Sequence, residues 1–484
     1  MKYLFLLSVA VLAIGAKAPG ALPLAQPMTS SDKATGAKAH PQILQEFGGL
    51  YAGPQAAYVT RVGRRIAVQS GLSNAEGDFT ISLLNSPVNN AFATPGGYVY
   101  VTRELLALMN SEAELASVLG HETGHVAARH SKSREKRARV GGLGAVAATI
   151  LGSVLGGNTG AQIGQQLGGS LAQNYVLGFS RAQEYQADDL GVSYLAKSGY
   201  DPLASSTMLA SLAAQSTLDA QVQGKSGKSL PEWASTHPDP ASRVTRAADR
   251  ARASSPNGRL QNRDEFLMAL DGMLYGDDPK QGIIDGQTFS HGDLRLSFTA
   301  PAGYAITNGT QAVTVSGAAG QAQFSGAAYN GDMNAYISSV FRSVGGSNSA
   351  LNFGNIDRTT INGIETFSAS ARASSQSSPV VVTVVAYQFS QSSAFHFVTI
   401  TPGETRTNTF DSLITSMRRL STQEAAAIRP RRIDIVTVRA KDTVASLSER
   451  MAYRDYRVER FRVLNALSPN ATLTTGQKLK LVVY

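Results

Sequence analysis

A chain of 484 residues with 43% hydrophobic and 16% charged residues is apolar enough to fold rather than stay disordered, and at about 100 to 200 residues per domain it spans about two to four domains. Its net charge of +9, from 44 Lys plus Arg against 35 Asp plus Glu without a long basic run, does not indicate nucleic-acid binding; it suits peripheral contact with an anionic envelope or membrane surface, and equally a merely solvated surface. Cysteine is absent, which excludes disulfides, thiolate metal ligands, a catalytic thiol and a lipid-modified N-terminal Cys, so any metal is held by His and carboxylate.

The N-terminus combines Lys2, an apolar run from Tyr3 to Ile14 and small residues at Gly15, Ala16 and Ala18. This pattern predicts a cleavable secretory signal over residues 1–25, with an uncleaved anchor as the alternative. Residues from about 40 to 110 alternate helical and strand patterns, with a strand at Tyr98–Val101 after the Pro95-Gly96-Gly97 turn, which reads as a hairpin edge. Ser111 with Glu114 three residues on marks a helix start, and Leu115, Val118, Leu119 and Val126 give that helix an apolar side as far as Arg129. Residues 140–157 are apolar but contain six Gly, which predicts a packed helical hairpin or a mobile lid rather than a membrane span. A second helix runs from Arg181 and stops at Gly199. Residues 253–287 read as a connector, 288–420 as a β-rich α+β domain with helices near 332–343 and 407–419, and 433–484 as a short, separate strand-helix-helix-strand unit.

His121-Glu122-Thr123-Gly124-His125 falls inside the helix that starts at Ser111. Residues four apart lie one above the other on a helix, so both imidazoles reach one metal ion while Glu122 projects beside them. Chance yields about 0.003 such patterns in a chain of this composition. His130, nine residues beyond His121 and about 180° round the helix, is expected to face away from the site. Catalytic zinc takes three protein ligands and keeps one position open. The third ligand is expected in Glu184-Tyr-Gln-Ala-Asp188, with Glu184 the best candidate; the two carboxylates are again four apart on a helix, so one can bind metal while the other orients a ligand histidine.

His121-Glu-Thr-Gly-His125, Ser180-Arg-Ala-Gln-Glu184-Tyr-Gln-Ala-Asp188, Ser235-Thr-His237-Pro with Arg243, and the upstream Asn90-Ala91-Phe92 occur in an order and spacing that resembles the zinc metallopeptidase family of the HtpX and CAAX prenyl proteases, peptidase family M48. The signal sequence makes the soluble periplasmic branch of β-barrel assembly-enhancing proteases the most similar, although no tetratricopeptide pattern is read here. The resemblance covers residues 40–252 and implies a multidomain α+β protein whose first domain is a mainly helical, zincin-type metalloprotease. It implies one Zn2+ per chain on His121, His125 and Glu184, Glu122 as general base, Asp188 behind the ligands, and His237 and Arg243 as catalytic residues near the cleft. His237 then donates a hydrogen bond to the oxyanion or occupies the open zinc position in a resting state. Asn90, Ala91 and Phe92 are expected to bind substrate, with the Tyr98–Val101 strand holding an extended chain by β-addition. The expected partners are misfolded or misassembled proteins of the cell envelope.

The tail, with Asp442-Thr, Leu464-Asn465 and Gly476-Gln, resembles the LysM module. That implies peptidoglycan as a partner and a periplasmic location at the cell wall or outer membrane; a docking unit without glycan affinity is the alternative. Since every expected ligand precedes residue 252, removing the tail is expected to spare the zinc site. A non-catalytic peptidoglycan-binding assembly factor is the competing function.

Overall fold

The computed structural model describes residues 26–131, 179–222, 237, 240–254, 260–345, 351–375 and 378–484. The expected secretory signal and the Gly-rich stretch 140–157 lie outside the described residues.

Helix α1 (Ser30–Glu46) begins on a reciprocal cap, in which Thr29 Oγ1 accepts from the Asp32 N–H and Asp32 Oδ2 from the Thr29 N–H, both at 3.1 Å. Helix α2 (Pro54–Ala67) starts at Pro54, where no amide hydrogen is needed, and buries Val59, Val62 and Ile66 along one face. Three strands follow: β1 (Thr80–Leu84), β2 (Ala91–Thr94) and β3 (Tyr98–Thr102). Their order is β1-β3-β2, with β1 parallel and β2 antiparallel to β3. The hairpin turn places Gly96 and Gly97 at φ 86° and 85°, the left-handed region that glycine enters without cost. This corrects the expected substrate strand: β3 is central and its ladder groups are already paired on both sides, so β-addition at Tyr98–Val101 has no free edge, whereas β2 is an edge strand.

After α3 (Arg103–Leu108), helix α4 (Glu112–Ala127) starts where the sequence places it. Ser111 Oγ accepts from the Glu114 N–H at 3.2 Å, while Glu114 Oε2 accepts from the Asn110 N–H at 2.7 Å, one residue before the usual reciprocal partner. Every residue from Glu112 to His125 is buried; α4 is thus a central helix rather than the one-sided surface helix that its apolar stripe suggests. Helix α5 (Arg181–Lys197) opens on a Ser180–Gln183 reciprocal cap and closes before Gly199 at φ 81°. Helices α6 (Ala204–Val222), α7 (Pro240–Ala253) and α8 (Arg263–Leu270) complete the helical layer.

Residues 253–287 are more than a connector. They contain the last residue of α7, all of α8, and the strands β4 (Leu274–Tyr275) and β5 (Ile283–Asp285). Strand β5 joins β6 (Thr288–His291), β7 (Leu296–Thr299) and the later β15 (Arg418–Arg419) in one sheet. A seven-stranded sheet is formed by β8 (Ala305–Asn308), β9 (Val313–Gly317), β10 (Gly320–Gly326), β11 (Asp357–Ile361), β12 (Ile364–Ser375), β13 (Ser378–Gln388) and β14 (Ala394–Pro402), in the order β11-β12-β13-β14-β10-β9-β8. Helix α9 (Met333–Gly345) buries Tyr336, Ile337, Val340 and Phe341 against this sheet, and α10 (Asp411–Ser416) packs on β7. A short helix, α11 (Thr422–Ala426), leads out of the domain.

The tail runs β16 (Arg431–Thr437), α12 (Val444–Ser448), α13 (Arg457–Leu464) and β17 (Lys478–Val483), the order read from the sequence. It is not separate. Strand β4, more than 150 residues upstream, is the third strand of its sheet, in the order β17-β16-β4. Ile433, Leu447, Phe461, Leu479 and Leu481 belong to one apolar cluster with Leu105, Leu115, Leu209 and Phe266. The β-rich domain is therefore inserted between two strands of a tail that shares the core of the helical domain. Among the described residues, no helix is long and apolar enough to cross a membrane.

Candidate metal centre and active site

Helices α4 and α5 pack side by side and supply most of the site. His121 and His125 project one turn apart from α4, and Glu184 faces them from the first turn of α5. His237 comes from the chain before α7. One ligand atom from each of His121, His125, Glu184 and His237 lies within 4.8 Å of the others, and all four residues are buried. His121 Nε2 is 3.0 Å from His125 Nε2, 3.4 Å from His237 Nδ1 and 3.6 Å from Glu184 Oε2; His125 Nε2 is 3.6 Å from Glu184 Oε1.

These groups fit a metal ion. At 3.0 Å the two facing Nε2 atoms have room for one hydrogen between them, and the buried Glu184 Oε1 accepts no hydrogen bond. The result is a set of lone pairs aimed at one point. Zinc–nitrogen bonds of about 2.0–2.1 Å in a tetrahedron separate neighbouring ligands by about 3.3–3.4 Å, which matches the spacing here. The nitrogen and oxygen donors, without sulfur, are also those of catalytic zinc sites.

Behind the ligands, Asp188 Oδ1 accepts from His121 Nδ1 at 3.0 Å. Arg243 holds both carboxylates: Nε and Nη2 donate to Asp188 at 2.9 and 2.6 Å, and Nη1 lies 2.6 Å from Glu184 Oε2. Arg243 is 2% exposed, so it sits under the ligands and positions them, rather than facing a substrate. Burial pushes Glu184 up, but His237 and His121 outweigh it and hold the carboxyl far below the carboxylate range. Burial likewise opposes ionisation of Asp188, yet His121 and Arg243 bring it down to about 2. His121, which burial alone would lower, is raised to about 9 by its hydrogen bonds to Asp188 and Glu184, whereas burial drives His125 well below its ordinary value.

Glu122 is 2% exposed, and its Oε1 stands 3.5 Å from His237 Nε2. Burial raises its carboxyl above the usual range, which suits a group that takes up a proton near neutral pH. His237 Nδ1 is 3.2 Å from Glu184 Oε2, so this side chain stands with the ligands. A small cleft opens beside His125, lined by Met28, Leu72, Pro95, Gly96 and Arg129. Asn90, Ala91 and Phe92 are 0%, 0% and 4% exposed, and Phe92 stacks on Tyr100 at 4.8 Å. These residues are buried, side chain and main chain alike, although β2 is an edge strand of its sheet.

One expectation is overturned. His130 is 3% exposed and its Nδ1 lies 2.9 Å from His125 Nδ1. The helical count that turned it away holds only while the helix continues, and α4 ends at Ala127, with Arg129 at φ 55° folding the chain back. Sequence reasoning also missed Gln186, which contacts His130, and Phe179, whose ring stacks on His125 at 3.9 Å. A non-glycine residue in the left-handed region leaves no compositional trace, so only the clustering of three His within ten residues hinted at this layer.

Comparison with known proteins agrees with this geometry. Residues 54–251 match the family model described as Peptidase family M48. The chain is 32% identical to the β-barrel assembly-enhancing protease of Yersinia pestis over 51% of this chain and 50% of that protein. It is 31% identical to the mitochondrial metalloendopeptidase OMA1 of Schizosaccharomyces pombe over 43% of this chain and 57% of that protein, and 31% identical to the β-barrel assembly-enhancing protease of Escherichia coli K12 over 44% and 42%. The chain thus spans about half the length of the curated relatives it matches. With the HExxH helix, the Glu184 helix and a buried His and carboxylate cluster suited to zinc all inside the matched segment, residues 54–251 resemble a metallopeptidase domain of family M48.

Proposed function

We propose that the protein is an exported zinc-dependent endopeptidase that hydrolyses peptide bonds of misfolded or misassembled envelope proteins. The observation that carries this reading is the placement of the buried Glu122 carboxyl against the cluster of His121, His125, Glu184 and His237. His121, His125 and Glu184 hold the ion; when bound, zinc supplies Lewis-acid polarisation of a carbonyl and an activated water near neutral pH. Glu122 accepts the proton of the attacking water and returns it to the leaving amine. Asp188 and Arg243 keep His121 and Glu184 in place through the two paths described above. His237 occupies the fourth side of the cluster and must swing aside for a substrate to enter, the resting-state role rather than the oxyanion role. An unfolded substrate segment pairs with the β2 edge through its main chain, which gives affinity with little sequence specificity. The relatives named as β-barrel assembly-enhancing proteases support an envelope setting, and the tail, read as LysM-like, tethers the enzyme to peptidoglycan.

The test is Glu122→Gln, which leaves the ligand atoms in place. Zinc content should stay near one ion per chain while cleavage of casein or a denatured outer-membrane protein falls at least about 100-fold, the scale of a lost general base. Native-rate cleavage by this variant would remove Glu122 from the mechanism. The competing reading as a silent assembly factor predicts that envelope phenotypes survive the substitution. His121→Ala, His125→Ala and Glu184→Ala should each lose the ion.

A further inference from the structure

His125 turns Nε2 toward the cluster, and the state of that atom depends on what its other nitrogen does. His125 Nδ1 lies 2.9 Å from His130 Nδ1, and His130 Nε2 lies 3.0 Å from Gln186 Oε1. An amide oxygen can only accept, so His130 carries its hydrogen on Nε2 and presents a lone pair at Nδ1. That lone pair accepts from His125 Nδ1–H, which leaves His125 Nε2 without a hydrogen and able to bind metal. With both rings neutral and Gln186 Oε1 facing His130, the contacts of the three residues fit this assignment of protons. Phe179, stacked on the His125 ring at 3.9 Å and 21°, keeps that ring in the plane the relay requires.

The two ligand histidines are therefore held differently. His121 has an anionic partner, Asp188, itself clamped by Arg243, whereas His125 has a neutral imidazole backed by an amide. The relay exists because Arg129 at φ 55° folds the chain back after α4; in a continuing helix His130 would lie about 140° away from His125. Gln186 is two residues beyond Glu184 on α5, so the same helix contributes a ligand and the end of the relay.

We propose that His130 is a positioning residue for the metal centre, which with Gln186 fixes the tautomer and ring orientation of His125. The inference rests on the reading of His125 as a ligand. Side-chain 15N spectra of the zinc-loaded full-length protein separate the two: His125 should be metal-bound at Nε2 with its hydrogen on Nδ1, and His130 should be the neutral Nε2–H form. A His125 without any metal shift would refute its role as a ligand; a metal-bound His125 beside a His130 protonated at Nδ1 would overturn the relay alone. Chelator competition provides the second measurement. His130→Leu removes the acceptor and should weaken zinc binding about 10- to 100-fold. His130→Asn, whose amide oxygen can take the place of Nδ1, should recover most of that loss. Zinc affinity in His130→Leu within twofold of the native protein, or an Asn variant as weak as the Leu variant, would count against positioning through Nδ1.

Discussion

His396 shows how one buried residue makes the β-rich domain sensitive to acid. It lies on β14 opposite Ser325 of β10, 5% exposed. Tyr336 Oη donates to the Ala394 carbonyl at 3.0 Å and accepts from His396 Nδ1 at 2.8 Å, so Nε2 is left to accept from Ser325 Oγ at 3.2 Å. The neutral ring is fully satisfied, and a second proton would place a charge in a buried site without an anionic partner among these contacts. Burial lowers its pKa from 6.5 to about 4. Between those values the unfolded chain binds a proton that the folded chain does not, so stability is complete above pH 6.5 and falls as the pH drops toward 4, by up to about 3 kcal/mol. Urea unfolding of the native protein and of His396→Gln across this range should give a difference that shrinks as the pH falls, because the variant has no imidazole to protonate. Parallel pH profiles would show that His396 is not the responsive group.

At the scale of elements, the site depends on how closely α4 and α5 approach. A methyl group on Gly191 of α5 would lie 3.2 Å from the His121 backbone nitrogen, and one on Gly124 of α4 would lie 3.2 Å from the Ala187 carbonyl oxygen. Both contacts are with backbone, which cannot yield without moving a helix. Gly191→Val is therefore expected to cost about 1 to 3 kcal/mol through overpacking and to weaken zinc binding at least about tenfold by pulling Glu184 from the histidines. Gly77→Val, where nothing lies within 4 Å of the added carbon, serves as the control. Zinc affinity unchanged in Gly191→Val would mean that the ligands do not depend on this spacing. The same packing explains what was legible beforehand. His121 with His125, and Glu184 with Asp188, are pairs set by local helix geometry, so spacing alone identified them. That two helices meet with these four residues facing is a tertiary fact, reached from the sequence only through family resemblance. His130 escaped because its position depends on one backbone angle, and the central place of β3 because strand order in a sheet is not encoded in the strand itself.

For the whole molecule, the consequential feature is the tail's place in the core. Lys480 sits in the alternating run Lys478-Leu-Lys-Leu481, a pattern that reads as one polar and one apolar face, yet it is 0% exposed. Its Nζ donates to the carbonyls of Ala107, Leu108 and Met109 at 2.7, 3.3 and 2.6 Å, where α3 ends just before the helix that carries His121 and His125. Helix α8 packs its buried Phe266 and Leu267 in the cluster shared with β16 and β17, and Gly272 N and Ile433 N exchange backbone hydrogen bonds with the Ile433 and Met273 carbonyls. Deleting residues 433–484 would remove the Lys480 donor from the buried Ala107 and Met109 carbonyls, at about 1 to 3 kcal/mol each, and expose several large side chains whose burial is each worth about 1.5 to 3 kcal/mol. Against a total stability of about 5 to 15 kcal/mol, the helical domain should not survive intact. The expectation that the tail can be removed without touching the zinc site is thus corrected: the truncated protein should be insoluble or lose zinc and cleavage together. Truncation then cannot separate tethering from folding. Substituting the exposed Arg439 and Lys441 on the β16–α12 loop leaves the core contacts alone and tests envelope binding by sedimentation with purified sacculi. A soluble truncated protein that binds one zinc and cleaves at the native rate would show that the tail is dispensable to the core.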